Sequence, residues 1–235
     1  MTTHGEWWIV RPMPITPDLN LTAAAFGVFP FDYDHARETS QLCESIGASL
    51  GLAGDELWAC RAAGLFHDLG RNVEVIAGGS PLDRKKGGAV SSWQERHPQH
   101  ALDGAELAKR ALAIDVNFQA THLDERVARV IANHNIHGPA PADPIGRALY
   151  DADLLESVRY YRLFEGNEGG FERFLASRWS RLVTDWARNP KVHERWRRDR
   201  SGAPQAAPAF KNEGVGGKSA EEIARTIMAR RAASK

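Results

Sequence analysis

Four histidines stand 32 to 34 residues apart along the chain, at His35, His67, His100 and His134, and the aspartates Asp68 and Asp153 complete the series. That separation is about one helix plus its connection. In a helical bundle it lets each helix deliver one side chain to a shared interior point. Histidines placed independently for packing have no reason to keep such a cadence. The series therefore constrains the chain to an all-α bundle with polar side chains gathered inside it.

The surrounding residues carry the same texture. Pro12, Pro14, Pro17 and Pro30 punctuate the opening, so residues 1–33 read as an extended N-terminal arm pinned by Trp7, Trp8, Phe26, Phe29 and Phe31. A helix is expected over 34–50, where Leu42, Ile46 and Leu50 recur every fourth residue before Gly51. A second starts from Asp55 as N-cap and ends at His67-Asp68-Leu69-Gly70. Residues 72–94, with Gly78-Gly79-Ser80-Pro81 and Arg84-Lys85-Lys86-Gly87-Gly88, read as a functional loop or lid.

Helix three is expected over 98–113, with Pro98 and His100 in its first turn, and helix four over 124–133, with Val127, Val130 and Ile131 inward. A fifth begins at Pro144 and carries Ile145, Leu149, Ala152 and Leu155 together with Asp153. A sixth spans 171–187, a linker 201–217 and a short terminal helix 219–232. The organisation expected is thus an arm at 1–33, a helical core at 34–190, and a basic linker with a C-terminal helix at 191–235. No Val/Ile/Thr alternation is long enough for a sheet.

At 235 residues with 43% apolar side chains the chain can bury a sizeable core. No apolar run approaches the roughly 20 residues that span a bilayer, and Met1 to Val10 shows no basic leader, so a cytoplasmic protein without membrane attachment is expected. Cys43 and Cys60 lie in helical segments without a CxxC spacing and read as reduced, buried thiols. The formal charge is zero, yet residues 171–235 hold 15 basic against 7 acidic side chains. The cluster Arg195, Arg197, Arg198 and Arg200 reads as a solvated helical face, with no aromatic-rich motif beside it, so nucleic acid is not expected as a partner. Oligomeric state is not encoded in any pattern here.

The His67-Asp68 doublet is the most informative pair. Neighbours on an ideal helix diverge by about 100° and do not share a centre, but at a helix end both side chains can turn to one ion. A carboxylate has two oxygens and can bridge to a second ion. Two dications balanced by two carboxylates and neutral imidazoles would keep a positive residue of charge that draws an anionic substrate.

The order His, His-Asp, His, His, Asp resembles the HD-domain superfamily, over about residues 34–157. His67-Asp68-Leu69-Gly70-Arg71 is similar to that family's His-Asp-Ile-Gly-Lys, with arginine in place of lysine. His100-Ala101-Leu102-Asp103-Gly104-Ala105 resembles its His-Pro-x-x-Gly-Ala helix start, and Ala152-Asp153-Leu154-Leu155 its Ala-Asp-x-Leu. The resemblance implies an all-α bundle in which His35, His67, Asp68, His100, His134 and Asp153 are metal ligands. Asp68 is then the bridge, and His100 and His134 are the ligands that separate two-metal from one-metal members. His97 competes in sequence for the role of His100, but the Gly104-Ala105 register favours His100.

By that resemblance the expected activity is hydrolysis of a phosphoester, a nucleotide or another small phosphorylated metabolite, by a metal-activated water. Two divalent ions are implied, from among iron, manganese, nickel, zinc and magnesium. Arg71 is expected to clamp a phosphate through its planar fork, and Arg84, Lys85 and Lys86 to close over the anion. His97, Asn135 and His137 are expected to donate protons or touch substrate, and Asp151 to stand outside the ligand set. Arg71 replaces the acidic residue found a turn beyond the doublet in single-metal nucleotidases of the superfamily. Two rivals share the pattern: a mixed-valence di-iron oxygenase of the same fold, as in myo-inositol oxygenase, and a non-catalytic nucleotide-binding module.

Overall fold

The computed structural model describes residues 30–70, 90–112, 122–134, 138–158, 164 and 166–199, with the main chain alone at 30–34, 90–99, 111, 198 and 199. All of the regular structure among the described residues is helical, with no strand. In chain order the helices are α1 (Pro30–Ser49), α2 (Asp55–Phe66), α3 (Val90–Leu112), α4 (Asp124–Ala132), α5 (Pro144–Leu155), α6 (Glu168–Trp179), the single turn α7 (Asp185–Arg188) and α8 (Pro190–Asp199). None is long and apolar enough to cross a membrane.

Helix α1 lies along α2 on one side and α5 on the other, while α3 packs on α4. The stripe expected on α1 is buried at Leu42 and Ile46, that on α4 at Val127, Val130 and Ile131, and that on α5 at Ile145, Leu149, Ala152 and Leu155. Burying a large aliphatic side chain contributes roughly 1.5–3 kcal/mol, so these faces hold the bundle together. Backbones approach closely where α1 meets α2. A Cβ at Gly64 would lie 2.6 Å from Ser40 Cα, and one at Gly47 would lie 2.6 Å from Cys60 Sγ. Ser40 Oγ donates to the Arg61 carbonyl at 2.8 Å across the same seam. Cys43 and Cys60 are buried free thiols, as expected.

Charge ties the helix starts together. Asp143 caps α5 by accepting from Ile145 N at 2.8 Å, with Pro144 following it. Arg126 on α4 donates to Asp143 at 2.9 Å and to Glu56, near the start of α2, at 2.9 Å. One guanidinium thus joins three helices, and its planar fork is why arginine suits the place.

Several expected boundaries move. Residues 30–33, read as the end of an arm, form the first turn of α1. Asp55 is not the N-cap of α2: Gly54 holds that place at φ 54° and ψ −124°, a conformation open to glycine, and Asp55 is the first helical residue. Helix α3 begins eight residues before Pro98, so Pro98 lies inside it and His100 is not in its first turn. The helix runs through Pro98, which lacks an N–H and so removes a bond of the ladder. Residues 90–94, read as loop, belong to this helix.

The single helix expected over 171–187 is two pieces, α6 and α7, with a bend between them. Asp151 on α5 causes the bend. Fully buried, it accepts from Val183 N at 2.9 Å, Thr184 N at 2.8 Å and Thr184 Oγ1 at 2.6 Å, taking two amides out of a continuous ladder. Thr184 Oγ1 in turn accepts from Ala187 N and caps α7. The lid at 72–89, the linker at 201–217 and the helix at 219–232 lie outside the described residues. On α8, Arg195 and Arg197 are exposed, and Arg197 pairs with Glu172 at 3.0 Å over the Trp179 ring.

Candidate metal centre

His35 sits in α1, His67 is the residue that closes α2, His100 is in α3, His134 follows the end of α4, and Asp153 is in α5. The chain leaving α2 tightens, with Leu69 N donating to the Phe66 carbonyl, and then meets α3 backbone to backbone. A Cβ at Gly70 would overlap the His100 carbonyl oxygen and lie 2.7 Å from Gly104 N, and one at Gly104 would lie 3.1 Å from the His67 carbonyl oxygen. These two glycines let the His67-Asp68 doublet reach the level of His100. The helix-end position does what the doublet required, since both of its side chains turn to one centre.

The geometry divides into two halves about Asp68. On one side His35 Nε2 and His67 Nε2 are 3.1 Å apart, and each is 3.5 Å from Asp68 Oδ2. Asp153 Oδ1 joins this half at 3.6 Å from His35 Nε2. On the other side His100 Nε2 and His134 Nε2 are 3.3 Å apart, at 3.5 and 3.8 Å from Asp68 Oδ1. Adjacent nitrogen or oxygen ligands about 2.1 Å from a common cation lie about 3.0–3.6 Å from one another, so these separations, with that from His134 to Asp68 slightly wider at 3.8 Å, are close to those of donor atoms arranged to share an ion. One carboxylate oxygen faces each histidine pair.

The outer nitrogens fix which way the inner ones face. His67 Nδ1 donates to the Gly64 carbonyl at 2.8 Å and His134 Nδ1 to the Ile131 carbonyl at 2.7 Å. A carbonyl can only accept, so Nδ1 carries the proton and Nε2 turns a lone pair inward. Burial pushes the His67 imidazolium down to about 4, with Asp68 opposing the shift, so His67 is a neutral donor at physiological pH. His35, His67, Asp68, His100 and His134 are all buried. Asp153 is the member that meets solvent, its side chain 15% exposed against 1% for Asp68.

Five of the six residues singled out in sequence thus converge, in the sets His35, His67, Asp68 and Asp68, His100, His134, and Asp153 adjoins them through His35. His97 lies on α3 three residues before His100, where only the main chain is described. Arg71, Arg84, Lys85, Lys86, Asn135 and His137 lie outside the described residues. Asp151 stands outside the set, as expected, but it is fully buried and bound to Val183 and Thr184, neither exposed nor seen to support a ligand. Sequence reasoning missed Glu156, fully buried with Oε2 2.8 Å from His35 Nδ1, and Thr39, whose Oγ1 is 3.2 Å from the same nitrogen. Glu156 follows Asp153 by three residues, the spacing that puts two side chains on one helical face, and that was the signal available.

A helical bundle enclosing buried histidines and carboxylates at ligand spacing defines a metal-binding helical protein. The HD domain is the family whose model matches, over residues 32–158, more than half of the chain. The protein belongs to the HD-domain family, most of whose members are metal-dependent hydrolases. No curated protein and no solved structure matches the chain.

Proposed function

We propose that this protein is a two-metal phosphohydrolase that cleaves the phosphoester of a nucleotide or another small phosphorylated metabolite. The observation that carries it is the placement of Asp68, with one oxygen facing each pair of histidines. A pair of divalent ions held by His35, His67, Asp68, His100, His134 and Asp153 would supply an acidified water and a Lewis acid for a phosphoryl oxygen. Imidazole and carboxylate donors accept iron, manganese, nickel, zinc or magnesium, so supply can decide the ion.

The chain's own residues perform the remaining work. His67 and His134, locked through Nδ1, hold their donor atoms still, which spares the site reorganisation when charge develops. Asp153 lies where the set opens to solvent, the side from which a substrate can arrive. Arg71, which follows Gly70 directly, clamps the phosphate, and Arg84, Lys85 and Lys86 neutralise and cover it. His97, Asn135 and His137 border the ligands in sequence and deliver a proton to the leaving group or orient it. The partner is a small anion, with neither nucleic acid nor membrane involved, in a cytoplasmic setting.

The test is release of alcohol and phosphate from an aryl phosphoester and a nucleotide panel by metal-loaded protein, with oxygen excluded. Turnover under these conditions, abolished by Asp68→Ala, is the expected result. Inactivity without oxygen, with oxygen consumed when iron and a reductant are supplied, establishes the oxygenase instead. Tight nucleotide retention with no turnover under either condition establishes a binding module.

A further inference from the structure

We infer that Glu156 is a positioning residue that sets the donor strength of His35 and thereby the affinity of the half of the centre built on His35, His67 and Asp153. The inference rests on the metal-site reading above. A carboxylate taken out of water costs several kcal/mol unless a hydrogen-bonded partner compensates it. Glu156 is fully buried, and its Oε2 stands 2.8 Å from His35 Nδ1.

The contact is directional. His35 has two ring nitrogens, of which Nε2 lies among His67, Asp68 and Asp153, at 3.1, 3.5 and 3.6 Å. Nδ1 points the other way, to Glu156 and to Thr39 Oγ1. A carboxylate accepts the Nδ1 proton, so Nε2 is the nitrogen left to bind a cation, and the negative charge behind the ring makes that nitrogen more basic.

His35 differs in this respect from His67 and His134. His67 and His134 rest Nδ1 on carbonyls of their own helical turns, Gly64 and Ile131, whereas His35 rests it on a charge from a different helix end, 121 residues away. A local carbonyl orients a ring; a distant carboxylate both orients it and ties α1 to the end of α5. Asp153 and Glu156, one turn apart, face the two nitrogens of the same ring, so the final ligand and the residue that tunes the first arrive on one piece of backbone.

The experiment measures zinc affinity by competition with a chromophoric chelator for the wild-type chain, Glu156→Ala, Glu156→Gln, His35→Ala and the double variant of Glu156→Ala with His35→Ala. Residues that support a ligand typically change metal affinity by about 10- to 100-fold, and a loss in that range is expected for Glu156→Ala. A smaller loss is expected for Glu156→Gln, whose amide oxygen still accepts the Nδ1 proton but carries no charge. Because Glu156 acts through His35, the double variant is expected to bind no more weakly than His35→Ala alone. Wild-type affinity in both Glu156 variants, or losses that add in the double variant, overturns the assignment. Where Glu156→Ala does not fold, Glu156→Gln, which keeps the volume and the hydrogen bond, carries the same comparison, paired with His35→Ala. A wild-type chain that takes up no zinc refutes the metal centre itself, a result distinct from zinc binding that ignores Glu156.

Discussion

Gly70→Ala is the most searching single substitution, because it adds one methyl group where two backbones meet and alters no ligand side chain. The new Cβ would sit 2.7 Å from Gly104 N, against the 3.4 Å at which ordinary contact begins, and would overlap the His100 carbonyl oxygen. Neither obstacle is the end of a flexible side chain, so α3 must move away by at least about 0.7 Å. A shift of that size along the line from Asp68 Oδ1 to His100 Nε2 would widen their 3.5 Å separation beyond 4 Å, past the 3.8 Å at which His134 Nε2 stands from the same oxygen. Overpacking of this kind costs about 1–3 kcal/mol, which in a chain of this length lowers the melting midpoint by about 2–12 °C. Misplacing a catalytic group by about 1 Å can cost 100-fold in rate. Metal analysis and thermal unfolding of the variant check this. The expected outcome is weaker metal uptake at Asp68, His100 and His134, with the fold retained. A variant with wild-type metal content and midpoint would refute the claim that the Gly70–Gly104 contact sets the ligand spacing.

Chelator-stripped protein is expected to melt lower than metal-loaded protein: an ion present at about 100 times its dissociation constant adds about 2.7 kcal/mol, or about 5–11 °C. Identical midpoints in calorimetry with and without manganese or zinc would count against a native-state ion site. Asp151→Asn keeps the shape of the buried acceptor but cannot accept all of the bonds from Val183 N, Thr184 N and Thr184 Oγ1, so chemical denaturation is expected to show a loss of about 1–3 kcal/mol with metal content unchanged. Loss of metal at unchanged stability would reverse the structural role given to Asp151. Partial burial raises the Asp143 carboxyl, but the Arg126 hydrogen bond and the Ile145 amide outweigh it and hold it below the ordinary value. Its ionised form therefore favours the folded state. That contribution is complete above the unfolded value of about 3.9 and is lost as pH falls through the lower folded value. Asp143→Asn, which can still cap α5, is expected to flatten the acid limb of a stability-against-pH profile; an unchanged slope would contradict this.

The gathering of histidines and Asp68 at one place was legible because metal chemistry calls for residue types that packing does not. His35, His67, Asp68, His100 and His134 meet as their spacing implied. The apolar stripes of α1, α4 and α5 were legible for a similar reason, since Ile46, Ile131 and Leu149 repeat at helical intervals and face the core. Helix α3 was misread at its start because proline is common in a first turn, and nothing local distinguishes that from a proline inside a helix. The break after α6 was invisible because its cause is Asp151, about thirty residues earlier, capturing the amides of Val183 and Thr184. Propensity sees neighbours in sequence and not a distant acceptor. Glu156 was overlooked because a glutamate near a helix end is ordinarily a surface residue, and only the contact with His35 Nδ1 distinguishes it.

The seam at Gly64 and Ser40 has a further consequence. With no side chain between the two main chains, α1 and α2 stand as close as their backbones allow, which fixes the spacing of the platforms that carry His35 and His67. A smaller cation could not be met by drawing these two helices together, because their main chains already touch. Tightening the site around a smaller ion would therefore call for changes in the side chains that reach inward, since the helix contact leaves no room to close.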